Sequence, residues 1–232
     1  MNDVDILKSI TAPIRLVDAP PEVVKAVQRC VDVDDDGDAG PITIAAFNEF
    51  KQEHHLGMLG MLGKTTAAKL IEVVSDRINR KVTPEMVLAI ARKEIGYKEY
   101  PPGSNQTYYG AWYGVNQQPW CAIWVSWCFY QAGLPLPATD RKGFAYCPFG
   151  VQWFKQHKRW HKTPQVGDVA FFHFGNGIAC HVGIVEKVNS DGTITTIEGN
   201  TSNGGSQDNG GEVLRKTRRL NAVQGFGRPD WN

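Results

Sequence analysis

Residues 118–133 read Gln-Pro-Trp-Cys-Ala-Ile-Trp-Val-Ser-Trp-Cys-Phe-Tyr-Gln-Ala-Gly, and this run organises the second half of the chain. A proline is not tolerated inside a helix, so Pro119 excludes a helix that runs through it. Gly133, followed by Pro135, is a typical stop signal. The run therefore predicts one short, strongly apolar helix that begins at about Cys121.

The residues that follow change to strand signals, separated by clusters of Gly, Asn and Asp. Helices first and strands afterwards is an α+β order and not an alternation of βαβ units, so we predict helices packed on an antiparallel sheet. The predicted strands are Asp168–Phe174, His181–Val188, Thr193–Asn200, Glu212–Leu220 and Val223–Arg228.

The N-terminal part shows helical signals alone. Three apolar-periodic segments cover Val23–Val31, Ile42–Phe50 and Thr65–Ile78, and the first two follow prolines suited to a first helical turn. A new helix starts at Thr83-Pro84 and ends near Gly96. We predict a small three-helix domain over residues 1–80 and a second domain over residues 81–232.

Composition excludes several classes of protein. The chain has 232 residues, 42% of them hydrophobic, and a formal net charge of +1, which gives no nucleic-acid footprint. No stretch is long and apolar enough to predict a membrane span, and the first ten residues lack the apolar core of a secretory signal. The five cysteines are odd in number and irregularly spaced, which favours a reduced chain made in the cytoplasm.

Cys121 is the candidate nucleophile on local grounds. A thiol at a helix N-terminus feels the positive end of the helix dipole and unpaired amides, which favour the thiolate. The alternative is a buried structural cysteine, the usual fate of this residue type. Cys128 lies two turns deeper in the same helix, where burial would raise its pKa, and is expected to belong to the core.

His181 is the candidate base among six histidines, because it opens a predicted strand next to Gly183. The Asp-Gly turn after this strand predicts a hairpin in which Asn200 pairs with Gly183 or with His181, depending on turn length. In both registers His181, Glu198 and Asn200 share one face, whereas Glu186 points to the other. Either Glu198 or Asn200 can orient the imidazole, and Asn200 is favoured as the direct contact.

Four motifs in this order resemble the CHAP domain, a cysteine- and histidine-dependent amidohydrolase/peptidase family. They are Pro119-Trp120-Cys121-Ala122 with Val125-Ser126-Trp127, Gly167-Asp168-Val169-Ala170, His181-Val182-Gly183-Ile184-Val185 and Ile197-Glu198-Gly199-Asn200. The resemblance covers about residues 83–232. It implies a papain-like fold, cleavage of peptidoglycan amide bonds, Cys121 as nucleophile, His181 as base, and Glu198 and Asn200 as polar partners.

The chain departs from the family pattern at two places. Trp120 stands where many members have Gln, which leaves the Cys121 amide as the candidate oxyanion donor. Residues Ser104–Thr107 contain no acid where some members bind calcium, so we predict no metal and no cofactor for the catalytic domain. The N-terminal region resembles a peptidoglycan-binding domain through the motif that ends at Gly40-Pro41, an arrangement familiar among phage endolysins.

Two further groups of residues suggest binding. The acidic loop Asp32–Asp38 mimics the start of a calcium-binding EF-hand, but Thr43 occupies the position of its bidentate glutamate. Adjacent strand residues face opposite sides, so Cys180 and His181 are not expected to share a zinc ion. Trp112, Tyr113 and Trp120 are candidate substrate-binding residues, with hydrophobic support of the helix as the alternative.

The sequence thus predicts a monomeric peptidoglycan hydrolase whose partner is the bacterial cell wall, without a nucleic-acid partner. It would act as an N-acetylmuramoyl-L-alanine amidase or as an endopeptidase, after release from the host cytoplasm by a holin-type or other non-Sec route. Two alternatives stay open. One is a non-catalytic wall-binding protein with a decayed site, and the other is an antibacterial effector injected into competitors.

Overall fold

The computed structural model describes residues 2–79, 81–175 and 177–231. The chain divides into two compact units, residues 1–80 and residues 81–232, each with its own hydrophobic core.

The first unit is helical, with one small two-stranded sheet. Its elements in chain order are α1 (Asp3–Lys8), β1 (Ile14–Arg15), α2 (Pro21–Cys30), α3 (Pro41–Glu53), β2 (Met61–Leu62) and α4 (Lys64–Asn79). The helices α2, α3 and α4 coincide with the three helical segments expected from periodicity. The short helix α1 and the antiparallel pair β1–β2 were not foreseen. Two-residue strands carry no periodicity to detect.

The helices of the second unit are short. They are α5 (Pro84–Lys93), α6 (Tyr108–Tyr113), α7 (Cys121–Gln131) and α8 (Cys147–Gln156). The helix α7 begins at Cys121, as the sequence predicts, and it contacts the central strands of the sheet. Because α7 is covered by other elements, eight of its eleven residues are buried, which explains a sequence that is apolar on all sides.

One antiparallel sheet completes the second unit, and the α+β fold class is confirmed. Its strand order is β3-β8-β4-β5-β6-β7. The strands are β3 (Trp160–His161), β4 (Val169–Phe172), β5 (His181–Val188), β6 (Thr193–Thr201), β7 (Glu212–Arg219) and β8 (Val223–Gly227). All except β3 were predicted, with ends that differ by two residues or fewer.

The β5–β6 hairpin sets which side chains meet beside α7. Ile184 pairs with Ile197, which belongs to the predicted register with the longer turn. The register shifts between Val185 and Lys187, so Glu186 lies at a bulge. At the other end of β6, the pairing with β7 shifts between Glu198 and Thr201. The second irregularity bears on the candidate site, because it begins at Glu198 and includes Asn200.

Candidate active site

Cys121 is the first residue of α7. Pro119 excludes a helix that runs through it, so the helix begins just after this proline. Trp120 is the N-cap residue, and its side chain does not cap the helix. The amides of the first turn are therefore available, and the Ala122 amide helps to lower the pKa of the Cys121 thiol. The Cys121 side chain is almost wholly buried, with 3% exposed.

His181 and Glu198 form the central polar contact of the site. The Nε2 atom of His181 lies 2.9 Å from Oε2 of Glu198, and both side chains are fully buried. Gly183 makes this contact possible, because a Cβ atom at that position would lie 2.5 Å from Cγ of Glu198. The Glu198 side chain thus crosses the space left by the glycine to reach the imidazole.

Glu198 is held by two further groups. Arg218 on β7 donates from Nε to Oε1 at 2.9 Å and from Nη2 to Oε2 at 2.5 Å, and Thr196 donates to Oε1 at 2.5 Å. The Arg218 guanidinium also lies over the rings of Phe172 and Phe174, at 5.4 and 5.5 Å from their centroids. Burial would raise the pKa of Glu198, but Arg218 and His181 outweigh it and lower that pKa to about 2.

The Cys121 thiol and the His181 imidazole stabilise each other's charged forms. The pKa of Cys121 is well below that of a free thiol, because the Cys147 thiol, His181 and the Ala122 amide outweigh the cost of burial. Burial alone would lower the pKa of His181, but interactions with Cys121 and Glu198 raise it to about 9. The expected resting state at neutral pH is therefore a thiolate–imidazolium pair.

The two nitrogens of His181 have different surroundings. Nε2 is occupied by the Glu198 carboxylate, whereas the buried Nδ1 has no hydrogen-bond partner among the described residues. A carboxylate only accepts, so Nε2 carries a proton. This leaves Nδ1 to exchange a proton with the thiol or with a substrate. The order Cys121, His181, Glu198 is the one expected of a nucleophile, a base and an orienting acid.

Asn200 does not contact His181, so the expectation that it is the direct partner is wrong. Its φ angle is +57°, in the left-handed region, so strand alternation breaks at this residue. Its side chain donates to Asn105 and Asn209 and accepts from the Gly211 amide. Asn200 therefore fastens the loop after β6, and Glu198 is the residue whose carboxylate contacts the histidine.

The other thiols of the region differ from Cys121. Burial raises the pKa of Cys128 well above its usual value, in agreement with a core role. Cys147 begins α8, and its Sγ atom lies 3.9 Å from Sγ of Cys121. The Cys121 thiolate and burial both raise the pKa of Cys147. Cys147 is thus a neutral thiol beside Cys121.

The three aromatic residues proposed to bind substrate lie in different surroundings. Trp120 is fully buried, stacks on Tyr109 and donates from Nε1 to Glu99 at 3.0 Å. Tyr113 is 8% exposed and also belongs to the core. Their burial contradicts a direct role as walls of a groove, and their packing supports the start of α7. Trp112 is half-buried and remains a candidate.

Side chains of the kinds that could hold a metal ion form no cluster in the described residues. No group of three or more potential ligands occurs within residues 2–79, 81–175 and 177–231. In the acidic loop, Asp36 accepts from Gln28, and Asp35 pairs with Arg29. The loop is thereby fastened to α2 by its own carboxylates. In the described part of the chain no helix is long and apolar enough to cross a membrane.

Comparison with known proteins agrees with this geometry. Residues 112–200 match the family model of the CHAP domain. This part of the chain is therefore similar to the CHAP domain. The matched range contains Cys121, His181 and Glu198. No curated protein sequence matches the chain.

Two solved structures resemble the chain at a low level. The endolysin LysIME-EF1 has a TM-score of 0.40 and 14% identity, over 65% of this chain and 66% of that one. An N-acetylmuramoyl-L-alanine amidase from Staphylococcus aureus has a TM-score of 0.35 and 16% identity, over 81% of this chain and 51% of that one. The chain thus spans less than two thirds of the length of each.

Two residues that contact the candidate site were missed by the sequence analysis. Arg218 lies beyond the matched range, on a strand whose register depends on the long loop at residues 202–211. Cys147 starts a helix that was not predicted, although Tyr146-Cys147-Pro148 has a proline at a position typical of a first helical turn. That proline was the available signal for Cys147.

Proposed function

We propose that this protein is a peptidoglycan hydrolase that cleaves an amide bond of the stem peptide, with Cys121 as nucleophile and His181 as base. The observation that carries the proposal is the buried His181–Glu198 contact, which leaves Nδ1 of His181 available beside the start of α7. The CHAP match over the same residues supports the choice of substrate class.

The mechanism follows from the charges of the site. The Cys121 thiolate attacks the carbonyl carbon, and the amides at the start of α7 stabilise the oxyanion. The His181 imidazolium then donates its proton to the leaving amine, which gives an acyl-enzyme. Neutral His181 next removes a proton from water, which hydrolyses the thioester. Glu198 keeps the imidazole oriented in every step.

The scissile bond defines the experiment. Purified peptidoglycan is incubated with the protein, and newly exposed groups are identified by mass spectrometry. Free muramic lactyl carboxyls together with free L-alanine amines indicate an amidase, and other new amines indicate an endopeptidase. New reducing sugar ends without new amines would contradict the proposal.

Variants test the two central residues. Cys121→Ser and His181→Ala should each abolish hydrolysis, because one removes the thiolate and the other removes the proton carrier. Cys30→Ser is the matched control, since it changes a buried thiol of the first unit. Hydrolysis that persists in Cys121→Ser would refute the nucleophile assignment. Wall binding by the unaltered protein without any hydrolysis would support a decayed site.

We also propose that residues 1–80 bind the cell wall and that the protein acts there as a monomer. The support is the compact, separate core of this unit and its short motif similarity. Sedimentation with purified walls should retain the Cys121→Ser protein. A chain that lacks residues 1–80 and sediments equally well would contradict this role.

A further inference from the structure

Cys147 is a buried thiol that the mechanism above does not use. It is the first residue of α8 and is 4% exposed. Its Sγ atom lies within hydrogen-bond distance of Sγ of Cys121, at 3.9 Å. The contact brings together the first residues of two consecutive helices, which are 26 residues apart in the sequence, so it is a product of the fold and not of local spacing.

The two sulfurs cannot both carry a charge at this distance. Two buried like charges so close together repel strongly, so the pair shares one proton. Cys121 also has the imidazole of His181 and the Ala122 amide to stabilise its charge. Cys121 is therefore the thiolate, and Cys147 keeps its proton.

We propose that the Cys147 thiol donates a hydrogen bond to the Cys121 thiolate and so keeps the nucleophile ionised at acidic pH. The inference rests on the proposed function only for the role of Cys121 as nucleophile. A donor of this kind stabilises a charged sulfur more than the neutral sulfur of an acyl-enzyme. It therefore increases the thiolate fraction at low pH and slightly reduces the reactivity of each thiolate.

The pH dependence of Cys121 alkylation tests the proposal. The unaltered protein, Cys147→Ala and Cys147→Ser are treated with iodoacetamide from pH 4 to pH 9, and modification of Cys121 is followed by peptide mass spectrometry. In Cys147→Ala we expect the midpoint to move to higher pH and the rate below the midpoint to fall about tenfold. At pH 8 the rate should equal or exceed that of the unaltered protein. Cys147→Ser should retain most of the original profile.

Cys128→Ala is the matched control, because it removes a buried thiol from α7 that does not contact Cys121. Its alkylation profile should be unchanged. A Cys147→Ala profile that superimposes on that of the unaltered protein would overturn the proposal. Equal shifts in Cys147→Ala and Cys147→Ser would also overturn it, since they would indicate packing and not donation.

The reciprocal variant covers the case in which Cys147→Ala does not fold. In Cys121→Ala, the loss of the neighbouring thiolate should make Cys147 react faster at a given pH, and an unchanged rate would contradict the contact. None of these measurements uses peptidoglycan. Absence of hydrolysis together with the expected alkylation profiles would therefore contradict the proposed function alone.

Discussion

Two glutamates of the same hairpin bind arginines, and they differ in nearly everything else. Glu198 on β6 is fully buried and contacts Arg218, Thr196 and His181. Glu186 at the bulge of β5 is 11% exposed and bridges Arg92 and Arg215, whose side chains are 36% and 50% exposed. The chemistry is similar, but only one of the clusters includes a titratable residue of the site.

The two clusters lie on opposite faces of the sheet. Arg215 pairs with Ile197, which belongs to the core beneath the helices, whereas Arg218 pairs with Ile194, which belongs to the core on the other face. Solvent screens the Glu186 cluster, so its ion pairs contribute little to stability. The Glu198 cluster is shielded from water, so each partner there depends on the others. Burial, and not the presence of an ion pair, gives Glu198 its influence on His181.

The largest expected effect is that of Arg218→Met. The variant leaves the Glu198 carboxylate buried without its cation, so we expect the free energy of unfolding to fall by about 3 kcal/mol or more. Hydrolysis should also decrease, because the pKa of Glu198 rises when its cation is lost. Denaturant unfolding measures the first effect. The double variant Arg218→Met with Glu198→Gln should recover part of the stability and none of the activity, and a single variant as stable as the original protein would break the comparison.

Gly183→Ala should impair the same cluster without removing a charge. The new Cβ would lie 2.5 Å from Cγ of Glu198 and 2.9 Å from the Ile197 carbonyl, so the Glu198 side chain must move away from His181. We expect kcat/KM to fall about a hundredfold, as is typical of a small misplacement in an active site. Gly204→Ala is the control, since no atom lies within 4 Å of its added Cβ. Equal activities in the two variants would count against the close approach.

The alkaline limb of the pH profile distinguishes the two glutamates. Because the pKa of His181 is raised to about 9, the imidazolium persists through neutral pH and is lost above about pH 9, where kcat/KM should fall. The stability that this charge contributes is fully present below pH 6.5, the ordinary pKa of histidine, and is lost as the pH rises through about 9. Glu198→Gln should move the limb to lower pH, because it removes a charge that raises the pKa of His181. An equal shift of the alkaline limb in Glu186→Gln would show that the Glu186 cluster also influences the pKa of His181.

The smallest expected effect is that of Glu186→Gln on stability. Its arginine partners are 36% and 50% exposed and reach solvent, so we expect a loss of less than about 1 kcal/mol in the free energy of unfolding. Added salt should reduce the difference further, since exposed charges are screened. The measurement is denaturant unfolding at low and high ionic strength. A loss comparable to that of Arg218→Met would show that burial does not separate the clusters.

Strong local signals allowed most of this fold to be predicted. Pro119 and Gly133 bound α7, and the Asp-Gly turn defines the β5–β6 hairpin, so the position of Cys121 at the start of α7 and the shared face of His181 and Glu198 were predicted from sequence. Asn200 was misjudged because strand alternation assumes an extended backbone, and its left-handed conformation is not encoded by spacing. Arg218 was missed because the pairing register of β7 with β6 cannot be derived from the sequence across the long loop before β7. Trp120 was predicted to bind substrate but lies in the core. An aromatic residue next to the candidate nucleophile can either line a cleft or pack beneath the helix, and the sequence does not distinguish the two.

The close approach of Glu198 to Gly183 has an evolutionary consequence. The two positions lie on different strands and share one small volume, so neither is expected to change alone. A relative with alanine at the first position should carry a shorter acid, or an amide with altered geometry, at the second. Covariation between the two columns of an alignment would then record a steric constraint as well as shared chemistry. If β5 were transferred to another scaffold without β6, His181 would lose the Glu198 contact that orients its imidazole.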